Sequence, residues 1–289
     1  MDYEALATGY YLEALAVAEE GVWFSDVVQG GIIRRSADGR LQTWLADRRW
    51  IGSILINHDG RILASGPGGI AWVDPESGAS GMLLEAIDGQ PIDGVNEMTP
   101  DGKGGIYFGT VDLPAIVNGR APGPAALYRL DIEGRVSRLC SGLKFSNGLG
   151  LSPDGRRLYH NESFVGTFAY DVAPDGSLGP AVPLLEKYDC DGLAVDRDGG
   201  IWISGFGSNE IVRLRPDGSV DGRIAVPAPA ATNVRFGGTD MRDLYVTTVL
   251  PEAATALARG TAIEAPSSVL YRARSEIAGL PLEATHFRV

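Results

Sequence analysis

The sequence predicts an all-β protein, a six-bladed β-propeller of four-stranded antiparallel blades. Three observations support this fold: 39 of the 289 residues are glycine, one short motif occurs six times, and no linker-like composition interrupts the chain. Glycine at about twice its usual frequency, without a collagen period, indicates many separate turns. Units of four strands that repeat every ~40–50 residues are typical of propeller blades. We therefore expect residues 1–289 to form one β-propeller domain.

The repeated motif is a polar residue, a short apolar run, a turn centred on Asp-Gly, and an apolar strand that contains Trp or Tyr. Its clearest copies read NGLGLSPDGRRLYHN from Asn147 and DGLAVDRDGGIWISG from Asp191. Each copy predicts a β-hairpin, because the turn glycine supplies a positive φ. Successive copies are separated by 40, 43, 51, 44 and 42 residues. Their leading polar residues are Glu13, Ser53, Asn96, Asn147, Asp191 and Asn233.

Three further segments are predicted from composition. Residues 111–126 are rich in Pro and Gly and account for the longest spacing between two copies of the motif, 51 residues, so we expect them to form a loop. Residues 251–260 are the only helix-like stretch of the sequence. Residues 3–12 are expected to pair with C-terminal strands from 267–274 and 283–289, because closure of the ring removes an exposed sheet edge. A β-sandwich is the alternative fold, but it gives no reason for a polar residue to open every repeat.

Charge and composition exclude several classes of function. The net charge of −12 disfavours nucleic-acid binding, because an acidic surface repels phosphate. No stretch approaches the ~18 apolar residues of a membrane span, and the N-terminus lacks the basic region of a secretory signal. Cys140 and Cys190 are too few for a disulfide framework or a thiolate metal site. We expect a soluble cytoplasmic protein that acts on a small molecule and binds neither nucleic acid nor membrane.

The six leading polar residues form the candidate functional site. The first strand of each propeller blade lines the central channel, so residues at one repeat position converge on its axis. Two carboxylates, three amides and a hydroxyl in one ring suit a hard cation with oxygen ligands. Without a cation the two carboxylates repel each other, which drives one of them towards protonation. Motifs of other chemistries, such as G-x-S-x-G or the phosphate-binding loop, do not occur.

Around this ring the sequence resembles the regucalcin/gluconolactonase family, also called the senescence marker protein family. The resemblance covers about residues 12–249 and is most specific in SNGLGLSPDGRRLY (146–159), DGLAVDRDGGIWIS (191–204) and TNVRFGGTDMRDLYVTT (232–248). It implies a six-bladed propeller that binds one divalent cation at the channel mouth and, in many members, hydrolyses lactones.

Carried over by motif, the resemblance implies a set of site residues. The metal ligands are Glu13, Asn147 and Asp191, with Asn96 nearby to contact the substrate or a metal-bound water. For Asn96 and Glu97 two roles stay open, contact with the substrate or that of a satisfied polar group of the channel. We expect Asp191 to act as the general base as well, because it lies at the metal and near the attacking water. Oxygen ligation favours Ca²⁺, and Mg²⁺, Mn²⁺, Zn²⁺ or Fe²⁺ also suit an open site of this kind.

One departure from the family pattern bears on the substrate. Sugar-lactone hydrolases of the family often carry Arg-x-Asn-Asp where this chain has Gly94-Val95-Asn96-Glu97. The arginine is a forked donor to substrate oxygens that a small residue cannot replace. We therefore expect Gly94 to leave free space and the substrate to be less polar than a sugar lactone. Arg48 or Arg49 of the preceding blade is the alternative source of the donor.

Apolar residues near the ring strengthen that expectation. Residues 112–117 are expected to fold over the channel mouth, and Met98, Phe145 and Phe164 are expected to add apolar wall. Two smaller departures, Ala14-Leu15 after Glu13 in place of Gly-Pro and Cys190 in place of a proline, leave the fold and the metal site unchanged.

Alternative interpretations remain for the site and for the function. Asn147-Gly148 and Asp191-Gly192 are also compatible with simple turns, which is the role we expect for Asp154, Asp198 and Asp217. The alternative functions are a sugar lactonase, a non-catalytic calcium-binding or interaction propeller, and a non-hydrolytic enzyme with the same metal site. A pure interaction propeller does not need Glu, Asn and Asp on one ring, so the sequence favours an enzyme.

Overall fold

The computed structural model describes residues 1–259 and 261–289, and it contains six antiparallel blades. The predicted all-β, six-bladed propeller is therefore confirmed.

The chain begins with strand β1 (Glu4–Gly9). Blade 1 follows and contains β2 (Leu12–Ala18), β3 (Gly21–Asp26), β4 (Ile32–Arg35) and β5 (Leu41–Trp44). The next strands are β6 (Ile54–Ile56), β7 (Ile62–Ala64), β8 (Gly66–Pro67), β9 (Ile70–Val73) and β10 (Ser80–Leu84); all but β8 form blade 2.

A short hairpin, β11 (Ala86–Ile87) and β12 (Gln90–Pro91), leads into blade 3. Blade 3 contains β13 (Gly94–Pro100), β14 (Ile106–Thr110), helix α1 (Leu113–Val117), β15 (Ala125–Leu130) and β16 (Val136–Leu143), with β8 paired to β13 as a short fifth strand. Blade 4 contains β17 (Ser146–Leu151), β18 (Arg157–Glu162), β19 (Gly166–Asp171) and β20 (Val182–Glu186). Blade 5 contains β21 (Cys190–Val195), β22 (Ile201–Gly205), β23 (Glu210–Leu214) and β24 (Val220–Ala225). Blade 6 contains β25 (Ala230–Gly237), β26 (Asp243–Val249), helix α2 (Pro251–Ala258) and β27 (Ser268–Arg274).

The N-terminal strand closes the ring as expected. β1 pairs antiparallel with β27, from Glu4 opposite Arg272 to Gly9 opposite Ser268, and so becomes the fourth strand of blade 6. This pairing covers a sheet edge that would otherwise be exposed.

The C-terminal segment 283–289, by contrast, adds no blade strand. Its only β-contact among the described residues is an isolated bridge between Thr285 and Asn57. Asn57 donates from Nδ2 to the Phe287 carbonyl at 2.9 Å and accepts from its N–H at 3.0 Å, so one side chain satisfies the backbone groups that a strand would pair. The buried Phe287 ring joins the hydrophobic core of blades 2 and 3.

The first strands of the blades, β2, β6, β13, β17, β21 and β25, contact one another in a closed ring around the channel. Between adjacent blades lie separate hydrophobic clusters, each centred on a strand of the repeated motif. The aromatic residue of that motif is buried in a cluster in five blades: Trp23, Tyr107, Tyr159, Trp202 and Tyr245. These aromatic residues therefore form inter-blade core, as the repeat predicts.

Two helices cover the channel mouth, one more than expected. Residues 111–126 form helix α1 and the start of β15 rather than a loop; Asp112 caps α1 by accepting the Ala115 N–H at 3.0 Å. The predicted helix at 251–260 is present as α2, and Gly260 lies outside the described residues. Blades 3 and 6 stand opposite each other in a ring of six, so the contact between α1 and α2 bridges the mouth. Neither helix, nor any other in the described ranges, is long and apolar enough to cross a bilayer.

Candidate active site

The ring residues are directed into the channel by β-bulges. In five of the six first strands the pairing register shifts at the ring position, a feature that re-aims a side chain and often occurs next to active sites. The shifts lie at Glu13/Leu15, Val95/Met98, Ser146/Leu149, Cys190/Leu193 and Ala231/Asn233. The repeated motif therefore encodes the bulge as well as the strand.

Four of the predicted site residues face one cavity of about 350 Å³ at the channel mouth: Glu13, Asn96, Asn147 and Asp191. They come from blades 1, 3, 4 and 5, so residues up to 178 positions apart in sequence meet at one point. Ser53 and Asn233, expected to line the channel, lie outside this cavity wall and contact Glu97 instead.

Asn147 and Asp191 do not lie in turns. Asn147-Gly148 is part of β17 and Asp191-Gly192 is part of β21. A Cβ on Gly148 would stand 2.6 Å from the Leu193 Cβ, and a Cβ on Gly192 would stand 2.7 Å from the Asn233 Cα. These glycines therefore allow the first strands of neighbouring blades to approach closely. Asp154, Asp198 and Asp217 do lie in turns, as expected.

Ser163 orients the side chain of Asn147. The Asn147 Nδ2 donates to Ser163 Oγ at 3.2 Å, and that hydroxyl donates to the Cys190 carbonyl at 2.7 Å. Because the amide nitrogen is engaged, the Asn147 Oδ1 is the atom left for a ligand in the cavity. Buried Asn161 donates to the Asp191 carbonyl at 2.8 Å and holds that strand in place. Ser163 lies beyond the repeated motif and Asn161 is the last residue of one copy, and no sequence signal identified either of them as a site residue.

The two predicted carboxylate ligands, half-buried Glu13 and buried Asp191, face the same cavity without an ion-pair partner among the described residues. Burial and the neighbouring Glu97 raise the pKa of Glu13 to about 8, against hydrogen bonds from Ala14 N at 2.7 Å and Asn233 Nδ2 at 3.1 Å. Burial raises the pKa of Asp191 well above its usual range, and Glu13 raises it further. Within the described ranges neither carboxylate forms an ion pair. A cation in the cavity would therefore stabilise the ionised form of both carboxylates.

Of the two roles expected for Glu97, its surroundings fit that of a satisfied polar group of the channel. Its side chain is excluded from the cavity wall and accepts from Ser53 Oγ at 2.8 Å and from Asn233 Nδ2 at 3.4 Å. The Arg235 guanidinium lies 3.4 Å from its carboxylate. Burial raises the pKa of Glu97, and Arg235 opposes that shift. The structure thus assigns Glu97 to a buried ion pair of the channel rather than to the substrate-facing wall.

Arg235 is a channel residue that sequence reasoning missed although the repeat contains a signal for it. Two positions after the ring residue, the other five blades have an apolar side chain: Leu15, Leu55, Met98, Leu149 and Leu193. Blade 6 has Arg235 there, and its guanidinium donates to the Leu15 carbonyl at 3.2 Å and to the Leu193 carbonyl. One charged residue in an otherwise apolar repeat position was the available clue.

The charges of the channel suit a divalent cation. Three carboxylates, Glu13, Glu97 and Asp191, and one guanidinium, Arg235, leave two negative charges when all are ionised. Oxygen atoms from two carboxylates and the Asn147 amide form a donor set for a hard cation. In the part of the chain that the structure describes, no three His, Cys, Asp or Glu side chains form a metal-binding cluster, so the amide is an essential member of the set.

The rest of the cavity wall is mostly apolar. Leu113 and Ile116 of α1 and Leu257 of α2 line it, so residues 112–117 do fold over the mouth as expected. Aromatic side chains form much of the remaining wall: Tyr11, Trp50, Phe145, Phe164, Tyr188 and Phe206. Met98 is an exception to the expectation, because it is fully buried in the core of blades 2 and 3.

The space beside Gly94 is filled rather than free. A Cβ on Gly94 would stand 2.5 Å from the Leu113 Cδ1, so α1 occupies the volume that an arginine side chain would need. Arg48 does not replace the donor, because it is bound to the carbonyls of Ser65 at 3.1 Å and Gly69 at 2.9 Å. Neither Arg48 nor the exposed Arg49 belongs to the cavity wall.

Known proteins match this sequence and this fold. The 6-deoxy-6-sulfogluconolactonase of Pseudomonas putida is 29% identical over 240 residues, which is 80% of each chain. The L-arabinolactonase of Azospirillum brasilense is 30% identical over 235 residues, 78% of this chain and 76% of that one. Among solved structures, a calcium-binding protein, regucalcin, from Agrobacterium tumefaciens superposes with a TM-score of 0.81 at 19% identity, over 99% of this chain and 97% of that chain. That structural match shows the fold alone.

A family model described as "SMP-30/Gluconolactonase/LRE-like region" matches residues 13–250, from the first ring carboxylate to the end of β26. The match therefore includes every blade and all four ring residues that face the cavity. The protein belongs to the SMP-30/gluconolactonase/LRE-like family.

Proposed function

We propose that this protein is a metal-dependent hydrolase that opens a lactone, or a related cyclic ester, less polar than a sugar lactone. The observation that supports the proposal is the pair of carboxylates, half-buried Glu13 and buried Asp191, that face a mostly apolar cavity without an ion-pair partner among the described residues. The named relatives are lactonases, which supports lactone opening as the class of reaction.

Glu13, Asn147 and Asp191 would hold one divalent cation. Oxygen ligands, and a net charge of −2 on the ionised channel side chains, favour Ca²⁺. Mg²⁺, Mn²⁺, Zn²⁺ and Fe²⁺ are compatible with the same donors. When bound, the cation supplies Lewis-acid polarisation of the ester carbonyl and stabilises negative charge on its oxygen.

The protein side chains supply the proton transfer and the orientation. Asp191 accepts a proton from the attacking water as the general base. Asn96 donates from Nδ2 to the Ser146 carbonyl at 3.0 Å, which leaves its Oδ1 as a hydrogen-bond acceptor for substrate or water. The apolar side chains of α1 and α2 limit water in the cavity, which strengthens these polar interactions.

The wall around the ring favours a substrate with few hydroxyl groups. Leu113 occupies the place of the family's arginine, and none of the described residues that line the cavity is an arginine or lysine. A sugar hydroxyl placed against this wall would lose its hydrogen bonds to water without new partners. Two of the relatives are named as sugar lactonases, and by analogy with them this protein would prefer a polar sugar lactone. A comparison of polar and apolar lactones as substrates is therefore the decisive test.

The test combines metal analysis with a lactone panel. We expect one divalent cation per chain by mass spectrometry of the purified protein. In a pH-indicator assay we expect kcat/KM for alkyl- or aryl-substituted lactones to exceed that for gluconolactone or xylonolactone. Absence of both bound metal and ring opening would refute the hydrolase. A tenfold preference for the sugar lactones, ~1.4 kcal/mol in transition-state binding, would refute the assigned polarity alone.

A pair of variants isolates the role of Leu113. Gly94→Arg combined with Leu113→Ala removes the obstructing side chain and restores a forked donor, so we expect the preference to shift towards sugar lactones by tenfold or more. Leu113→Ala alone is the matched control, because it opens the same space without the donor. Equal effects of the two variants would show that volume, not the lost arginine, determines the preference.

A further inference from the structure

We propose that Phe145, Phe164 and Tyr188, the aromatic edge of the mouth, form a subsite for an uncharged, flat aryl substituent of the lactone. This inference rests on the proposed function and adds the position and chemical class of the substituent. All three side chains line the cavity, so the aromatic edge is continuous with the candidate active site.

The aromatic edge exposes side chains that a protein surface normally covers. Tyr188 is 70% exposed and Phe164 is 45% exposed, and they are the two exposed aromatic residues in the described part of the chain. They lie together at the same opening, with ring centroids 5.3 Å apart at an interplanar angle of 66°. Phe145 stands edge-on to Phe164, with centroids 6.4 Å apart at 84°. Exposed apolar side chains that cluster at a cavity indicate a binding surface rather than chance exposure.

The backbone at Phe164 adds an independent observation. Its φ is 70°, which is a strained backbone conformation for a bulky residue. Residues strained in this way are concentrated at binding and catalytic sites. Hydrogen bonds impose this conformation: the Phe164 N–H donates to the Tyr188 carbonyl at 2.8 Å, and the Val165 N–H donates to the Glu162 carbonyl at 3.0 Å. The structure therefore holds a partly exposed phenylalanine in an unfavourable backbone conformation at the mouth, where its ring contacts the two other aromatic residues of the edge.

The turn that carries Tyr188 is rigid. Lys187 donates from Nζ to Asp189 Oδ1 at 2.8 Å and to Ser208 Oγ at 2.9 Å, and Asp189 accepts from Ser208 Oγ at 2.7 Å. The Asp189 carbonyl accepts the Phe206 N–H at 2.8 Å. This network positions the aromatic side chains in advance, so little conformational freedom is lost when a ligand binds.

The charges near the edge select a neutral occupant. Lys187 is paired with Asp189 and lies 3.6 Å from Glu210, so this cation is not available for a carboxylate or phosphate substituent. Asp189 itself lines the cavity beside Tyr188 and disfavours an anion. A flat aryl ring can pack against these edge-to-face rings in a favourable stacked or edge-on geometry. A puckered aliphatic ring of similar size cannot make this aromatic–aromatic interaction.

The experiment compares γ-butyrolactones that carry phenyl, cyclohexyl or methyl at C5. In the wild-type protein we expect kcat/KM to be highest for the phenyl compound and at least fivefold above the cyclohexyl compound. Tyr188→Ala, and Phe164→Asn, which tolerates the positive φ, should each lower this phenyl-to-cyclohexyl ratio about fivefold. Tyr188→Phe should retain the ratio. Val182→Ala, at a 53% exposed residue of β20 outside the cavity, is the matched control and should change neither rate.

A binding measurement separates this inference from the proposed function. Calorimetric titration with 5-phenyl-2-pyrrolidinone, the lactam analogue, needs no turnover. Tighter binding to the wild-type protein than to Tyr188→Ala supports the aromatic subsite. Equal binding, or ring opening by the wild type with an unchanged phenyl-to-cyclohexyl ratio in the variants, overturns the subsite and leaves the hydrolase intact. Failure to open any lactone, with the lactam still bound through Tyr188, overturns the hydrolase alone.

Discussion

Asp191 belongs to strand β21 and Asp196 directly follows that strand, five residues on; both are buried, yet their surroundings differ completely. Asp196 accepts hydrogen bonds from Gly200 N at 2.7 Å and Trp202 Nε1 at 2.7 Å and pairs with the Arg213 guanidinium at 2.8 Å. Asp191 lacks an ion-pair partner among the described residues, and burial raises its pKa well above the usual range. The same residue type thus serves structure at one end of β21 and remains available at the other.

The contrast extends to a carboxylate of blade 3. Buried Asp101, directly after β13, accepts the Lys103 and Gly105 N–H groups, each at 2.8 Å, and pairs with Arg129 at 2.7 Å. At the mouth, Glu13 and Asp191 share the cavity without any such pair. A buried carboxylate costs free energy unless it is paired, so the unpaired end is the one expected to bind an external cation.

The largest expected effect is that of Asp191→Asn. This change removes both the base and one ligand charge, so we expect kcat to fall on the order of 10³-fold and the bound cation to be lost. Turnover in the lactone assay and metal content per chain measure the two effects. A folded variant with full metal content and full turnover would contradict the assignment of Asp191.

Asp196→Asn tests the structural end of the same strand. Loss of the charge partner of Arg213 should lower the free energy of unfolding by about 3 kcal/mol, measured by urea denaturation. The folded variant should keep its metal content, because Asp196 is not part of the cavity. If Asp196→Asn lost the metal while its stability stayed unchanged, the distinction between the two ends would be wrong.

Ser163→Ala tests the orientation of Asn147. Without the hydroxyl that accepts its Nδ2–H, the Asn147 amide is free to rotate, and we expect metal affinity to fall 10- to 100-fold. Chelator competition measures the affinity. Ser177→Ala, whose hydroxyl bonds only within an exposed turn, is the control and should leave affinity unchanged.

The stability of the metal-free protein should decrease from pH 5 to pH 8. The folded state keeps the Glu13 proton up to a pKa of about 8, whereas the unfolded chain releases it near the ordinary glutamate pKa of 4.5. The folded state therefore binds more protons in this window, and each pH unit lowers the free energy of unfolding by at most about 1.4 kcal/mol for this group.

Urea denaturation at several pH values in the presence of chelator measures this slope. Saturating divalent cation should remove it, because the cation replaces the proton as the partner of the carboxylates. Stability of the metal-free protein that rises between pH 5 and pH 8 would show that these carboxylates are not protonated in the folded state.

The sequence by itself determined the fold and the ring. The Asp-Gly turns and apolar strands recur at nearly constant spacing, and hairpins form from local patterns, so six copies suffice to predict six blades. Because each copy begins with a polar residue, the same repeat predicts that Glu13, Asn147 and Asp191 converge. Residues 3–12 and 267–274 had no other partner, which made ring closure predictable as well.

Only the tertiary structure decided the contacts that vary from blade to blade. The pairing of Glu97 with Arg235, the support of Asn147 by Ser163 and the filling of the Gly94 space by Leu113 each occur once. These contacts join different blades or lie outside the repeated motif, so spacing alone does not encode them. Side-chain direction at a β-bulge and the volume left between packed blades depend on the assembled ring, and they exist only after it has closed.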